Sequence, residues 1–105
     1  MSDVKLRLGN LEFEWDDEKA ASNLTKHQVP FAEAATAFLD GYQEIVSDHD
    51  HSEDEERFLL LATSNRLRIL VVAHVAWDVR IRIINARAAT PRERKRYEAA
   101  RFGDR

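Results

Sequence analysis

Leu67-Arg68-Ile69-Leu70-Val71-Val72-Ala73-His74-Val75 is apolar at nearly every position. A strand with one face in water alternates polar and apolar residues, whereas a strand covered on both faces does not. The stretch therefore predicts a central strand. Arg57 to Thr63, before it, reads as a second strand joined through a Ser64-Asn65-Arg66 turn. After it, Trp77-Asp78-Val79 turns the chain again. Arg80 to Ala86 then sets Arg80, Arg82 and Ile84 against Ile81 and Ile83, the period of a further strand. Ile45-Val46 marks the end of an earlier one.

Outward from this meander the helices can be placed. Leu11-Glu12-Phe13-Glu14-Trp15 alternates as a short half-buried strand would. Asp16 can cap a helix, with Asp17 and Glu18 near its positive end. That helix is predicted over Asp17 to His27, with a thin apolar side of Ala20, Ala21 and Leu24. Its polar stripe is Lys19, Asn23 and Lys26 or His27. Pro30 suits the first position of a second helix, whose buried stripe would be Phe31, Ala34, Ala35, Phe38 and Leu39, ended by Asp40-Gly41. Thr90-Pro91-Arg92-Glu93 has the form of a capping box, and a basic helix follows to about Arg101. The expected fold class is α+β: an antiparallel sheet with two N-terminal helices and one C-terminal helix segregated from it. Residues 1–105 fit a single domain, with 1–10 flexible or a short strand.

Composition bounds the function. At 105 residues and 44% hydrophobic, the chain can build one modest core. It has no cysteine, so disulfides and thiolate zinc sites are excluded. No apolar run approaches the roughly 20 residues that span a bilayer, and Met1 to Asn10 lacks the apolar segment of a signal peptide. The chain reads as a cytoplasmic protein with no membrane role. The net charge of −3 conceals a division. Residues 1–56 hold 4 Lys+Arg against 15 Asp+Glu, a balance of −11, and residues 57–105 hold 12 against 4, a balance of +8. Either the basic half binds phosphates or the two halves neutralise each other across the fold. There is no glycine-rich phosphate loop or dinucleotide fingerprint, so no cofactor is expected.

Three constellations could carry chemistry. The first is the arginine set of Arg57, Arg82, Arg87 and the helical cluster Arg92, Arg94, Lys95 and Arg96. Guanidinium presents a rigid fork of donors that matches phosphate oxygens in pairs. Arg82 stands out in an otherwise apolar strand. The alternative is a solvated face with ion pairs to the acidic half. The second is Asp48-His49-Asp50-His51 with Glu53 to Glu56. Imidazole and carboxylate ligate metals, but adjacent loop residues set no coordination geometry, and no metal is expected. His51 suits proton transfer, since a histidine titrates near working pH. The third is Lys26-His27, which can cap the first helix through its dipole or bind RNA. His74, inside the central strand, reads as a satisfied core histidine. Tyr97, four residues after Glu93, either stacks on a base or packs the last helix onto the sheet.

Phe13-Glu14-Trp15-Asp16 followed by Lys19, Asn23, Lys26-His27, Val29, Phe31 and Glu33-Ala34 resembles the opening signature of the BrnT toxin family. His51 with Glu56-Arg57-Phe58 resembles its middle. Arg82-Ile83-Ile84-Asn85-Ala86-Arg87 with Ala89-Thr90, Glu93-Arg94 and Tyr97 resembles its close. The likeness runs from about Phe13 to Glu98. It implies a RelE-like fold and an endoribonuclease that arrests growth by cutting cellular RNA. It also implies a BrnA-like antitoxin with a ribbon-helix-helix DNA-binding part, and a toxin homodimer inside the complex. Four positions depart from the family pattern. Gln28 and Ala62 replace glycines, Pro30 replaces a common serine, and Asn85 stands where serine is usual.

The working mechanism is metal-independent cleavage that yields a cyclic phosphate and a 5′-hydroxyl. Arg57, Arg82 and Arg87 are the expected phosphate clamp, and His51 the proton carrier. Lys26 and Tyr97 are supporting candidates, and Lys26, His27, Arg80 and Arg94 are expected to bind RNA. Two other readings stay open. One is a catalytically inactive corepressor that acts only with its antitoxin. The other is a metal-dependent phosphodiesterase using Asp48, His49, Asp50 and His51.

Overall fold

A computed structural model describes residues 2–103. Six strands form one sheet in the order β1-β2-β6-β5-β4-β3. The strands are β1 (Asp3–Leu8), β2 (Leu11–Asp16), β3 (Glu44–Ser47), β4 (Phe58–Thr63), β5 (Ile69–Trp77) and β6 (Arg80–Ala88). The helices are α1 (Asp17–His27), α2 (Phe31–Thr36) and α3 (Pro91–Phe102), with a 3-10 turn over Ala37–Leu39 after α2. Among the described residues no helix is long and apolar enough to cross a membrane.

The α+β class and the central strand are as expected: Leu70 to Val75 are all buried in β5. The sheet, however, is mixed and not antiparallel. β3 through β6 form an antiparallel meander, but β2 lies parallel to β6, with Phe13 opposite Ile81. A parallel neighbour requires a long crossover. Here the crossover is everything between β2 and β6, including α1 and α2. Asp3–Leu8 forms the edge strand β1, whose Leu6 pairs with Phe13.

The helices are not all on one side. Val29, Phe31, Ala34, Ala35 and Phe38 pack with Phe13, Trp15, Leu60, Leu70, Val72, Ile81 and Ile83. Tyr97 of α3 packs instead with Leu61 and Val71. Leu60 and Leu61, like Val71 and Val72, are neighbours in sequence, so the two clusters lie on opposite faces of the sheet. α3 is thus a partial cover on the second face, and beside it Leu59 and Ala73 line a cavity that no helix covers. Leu39, expected in the buried stripe, is 59% exposed because the chain tightens into the 3-10 turn and the helical period lapses.

α1 runs over the predicted span, from its Asp16 cap, whose carboxylate accepts from the Lys19 amide at 2.9 Å. It ends at Gln28, which has φ 58°, a left-handed conformation that glycine adopts without steric cost. Asn23 of α1, expected on the polar stripe, is only 6% exposed. Its carboxamide accepts from the Ala86 amide at 3.0 Å and donates to the Ala86 carbonyl at 2.9 Å. It also donates to the Val29 carbonyl at 3.0 Å. β2 pairs with β6 only as far as Arg82. Beyond that point Asn23 satisfies the β6 edge as a neighbouring strand would, so α1 is pinned beside the strand. Asn23→Ala leaves these backbone groups without their partner, and we expect a loss of about 2–3 kcal/mol. Urea unfolding at neutral pH measures it, and a loss below about 0.5 kcal/mol would show that solvent replaces the carboxamide.

Candidate functional site

The placement of Asn85 and Arg87 depends on an irregularity in β6. Ile81 and Ile83 face the main core. Strict alternation from them would send Asn85 and Arg87 into the core as well. Instead Ala73 pairs with Asn85 and His74 with Ile83, which leaves Ile84 as an extra residue in β6. Such a bulge re-aims the side chains that follow it. Ala86 then joins the core, and Asn85 and Arg87 turn to the open face.

Two cavities meet on this face. The first, about 230 Å³, is lined by Asp48, His51, Arg57, Leu59, Ala73, Asn85 and Arg87. Leu59 and Ala73 form its floor on the sheet. The second, about 370 Å³, lies between α1 and β6, and Lys19, Lys26, His27, Asn85 and Arg87 are among its walls. Asn85 and Arg87 belong to both.

The loop after β3 reaches the first cavity in a defined way. The Asp48 amide donates to the Arg57 carbonyl at 2.8 Å, which extends the β3–β4 ladder. The Arg57 amide donates to the Ser52 hydroxyl at 2.9 Å, and that hydroxyl donates to the Asp48 carbonyl at 2.6 Å. His51 Nδ1 stands 3.2 Å from both carboxylate oxygens of Asp48. A carboxylate on Nδ1 orients an imidazole and leaves Nε2 to face a substrate. Asp48, His49, Asp50 and His51 do not converge as ligands: among the described residues no group of three or more histidine or acidic side chains could hold an ion.

Arg87 is held by Glu93 of α3. Its two terminal nitrogens donate to the two carboxylate oxygens at 2.8 and 3.0 Å. Glu93 also accepts from the Thr90 amide at 2.8 Å and so completes the capping box. Hydrogen bonding from Arg87 is the main reason that the Glu93 carboxyl is lowered to about 2, against the opposing effect of burial. The start of α3 therefore fixes a guanidinium at the junction of the two cavities. The capping box was legible in the sequence, but its second role as a brace for Arg87 was not.

The remaining expected residues lie elsewhere. Arg82 is bound by Asp3 at 3.3 Å and by Glu14 at 2.7 Å, which raises its already high pKa, and it lines neither cavity. Arg80 pairs with Glu14 at 3.4 Å and lies over the Trp77 ring. Arg94 is exposed on α3. Tyr97 is 1% exposed, and its hydroxyl accepts from Thr63 at 2.9 Å and donates to Asp40. It packs the helix onto the sheet, the structural one of its two readings, and presents no face on which a base could stack. His74 is buried against Phe38, with Nδ1 3.1 Å from the Val72 carbonyl; burial lowers its pKa. The structure thus brings together Lys26, His27, His51, Arg57 and Arg87, adds Lys19, Asp48 and Asn85, and leaves Arg80, Arg82, Arg94 and Tyr97 outside.

A family model described as "Ribonuclease toxin, BrnT, of type II toxin-antitoxin system" matches residues 15–93. The chain belongs to the BrnT toxin family. The matched span contains every residue that lines the two cavities and ends at Glu93, the brace for Arg87. BrnT toxins are ribonucleases of type II toxin–antitoxin systems, so membership implies an RNA substrate and an antitoxin partner. The fold is similar to that of a solved BrnT, the Brucella abortus ribonuclease toxin at 1.1 Å resolution. The two are 20% identical with a TM-score of 0.54 over 72% of this chain and 92% of that one. No curated protein matches the chain.

Proposed function

We propose that this BrnT-family chain is a metal-independent endoribonuclease that cuts RNA in the cavity between His51, Arg57 and Arg87. The observation that carries the reading is the convergence of two guanidinium groups and a carboxylate-oriented imidazole on one concave surface. Arg57 and Arg87 bind the non-bridging oxygens of the scissile phosphate. His51 Nε2 takes the proton of the ribose 2′-hydroxyl, and the 2′-oxygen attacks phosphorus. The bond to the 5′-oxygen breaks, that oxygen takes a proton from solvent as it leaves, and a 2′,3′-cyclic phosphate remains. Charge builds on the phosphate oxygens in the transition state, where preorganised donors are worth most. Asp48 holds the imidazole, Glu93 holds Arg87, and Asn85 offers a carboxamide to the substrate. Arg82, with two carboxylates on its fork, is assigned to bracing β6 against β1 and β2.

The same reading places the protein in the cytoplasm with a RelE-like layout. It also assigns a BrnA-like antitoxin carrying a ribbon-helix-helix domain, a toxin homodimer within the complex, and growth arrest when the toxin is free. Purified protein incubated with RNA in excess EDTA tests the chemistry. Cleavage should persist, its products should carry cyclic phosphate and 5′-hydroxyl ends, and His51→Ala should lower the rate by about 100-fold or more. Cleavage lost in EDTA and restored by a divalent ion would replace the mechanism. No cleavage, with repression of the operon intact, would favour the corepressor reading.

A further inference from the structure

We propose that the cavity between α1 and β6 is a second phosphate subsite, which binds the phosphodiester next to the scissile one through Lys19 and Lys26. The inference rests on the nuclease reading and extends it. The wall of this cavity carries Lys19, Lys26, His27 and Arg87, and no carboxylate. Among the described residues Lys19, Lys26 and His27 make no ion pair. Other basic concavities differ in this respect. The one with Lys5, Arg7 and Arg80 also holds Glu12 and Glu14. The one on the far side of His51 and Arg57 holds Glu53, Asp54 and Glu55. Acids lining a concavity repel phosphate unless a base beside them takes up their charge, as His51 does for Asp48 in the cleavage cavity, so the acid-free cavity is the one best suited to a further stretch of polyanion.

Its position fits a continuing strand. It adjoins the cleavage cavity through Asn85 and Arg87, which lie two residues apart along one face of β6. Two strand residues span about 6.5–7 Å, so a chain leaving the scissile phosphate along β6 enters the second cavity directly. Lys19 and Lys26 stand about two helical turns apart on α1, so they can grip the strand as it runs along the helix. Asn23, between them in sequence, carries no substrate contact in this scheme. It is the peg that holds α1 against β6 and so sets the width of the cavity.

The test is equilibrium binding of a short 2′-O-methyl oligoribonucleotide, which lacks the attacking hydroxyl, across a range of salt concentrations. Each phosphate contact to a single strand contributes about 0.7 to the slope of log affinity against log salt. K19Q/K26Q should flatten the slope by about 1.4, and K19R/K26R should restore it. K5Q/R66Q, the same loss of charge outside both cavities, should leave it nearly unchanged. An unchanged slope in K19Q/K26Q, with RNA still bound and cut, overturns the subsite alone. An equal flattening in K5Q/R66Q also overturns it, because general charge would then account for the effect. A wild-type protein that does not bind the inert RNA overturns the subsite and the nuclease reading together. Lys19 and Lys26 are exposed, and circular dichroism verifies that the variants are folded.

Discussion

Arg87→Ala is expected to lower RNA cleavage by about 100- to 1,000-fold, the usual effect of removing one transition-state donor. The loss should fall mainly on kcat, because the negative charge that Arg87 meets grows as the 2′-oxygen attacks. Stability should fall by only about 1 kcal/mol or less. The Arg87–Glu93 pair is partly exposed, and exposed pairs contribute little. Arg87→Lys should recover only part of the rate. An ammonium keeps the charge but cannot bind Glu93 and a phosphate through one planar fork. Single-turnover cleavage of a labelled RNA, beside urea unfolding of each variant, measures both effects. A wild-type rate in a folded Arg87→Ala protein would mean that the junction of the two cavities is not where RNA is cut.

Arg68→Ala should be strongly destabilising, by about 2–3 kcal/mol at pH 7, because it strands a nearly buried carboxylate while the guanidinium it removes is itself partly in solvent. Typical domains have only about 5–15 kcal/mol in hand. Glu33 of α2 is 5% exposed. Arg68 binds both of its carboxylate oxygens, one of them at 2.9 Å through Nε, and the Ser64 hydroxyl donates to it at 2.6 Å. Hydrogen bonding from Arg68 is the largest influence on the carboxyl and lowers its pKa below 4.5; burial opposes it and Ser64 assists. A carboxyl lowered on folding stabilises the protein above its unfolded pKa, and that contribution fades as the pH falls through the folded value. Removing Arg68 leaves burial dominant and inverts the sign. The deficit of the variant relative to wild type should therefore shrink between pH 7 and pH 4. A deficit that is the same at both pH values would show that Glu33 stays ionised without its partner.

Much of the fold was legible because local chemistry and tertiary packing agree. The bounds of α1 follow from the Asp16 cap and the Lys26-His27 end, those of α3 from the Thr90 to Glu93 capping box, and the identity of β5 from its unbroken apolar run. The site was legible in part. Arg57, Arg87, His51, Lys26 and His27 are drawn together, whereas Arg82 is occupied by Asp3 and Glu14, which lie 79 and 68 residues away in sequence. Arg80 shares Glu14 with it. No local pattern announces such a pairing. Asp48 was visible only as one acid among many, and its hold on His51 depends on the turn that closes between β3 and β4.

Residue chemistry along the chain was enough to specify an α+β protein with a basic later half, because caps and hydrophobic period act over a few neighbours. Which basic groups could meet a substrate was settled by long-range geometry. The Ile84 bulge exists because β5 and β6 shift register at Ala73 and His74, and it turns Arg87 from the core to the open face. The Asn23 peg exists because β2 stops pairing at Arg82 and leaves the β6 edge to α1. Both arise from strands and helices meeting across the fold, and such meetings leave no periodic trace in a linear sequence.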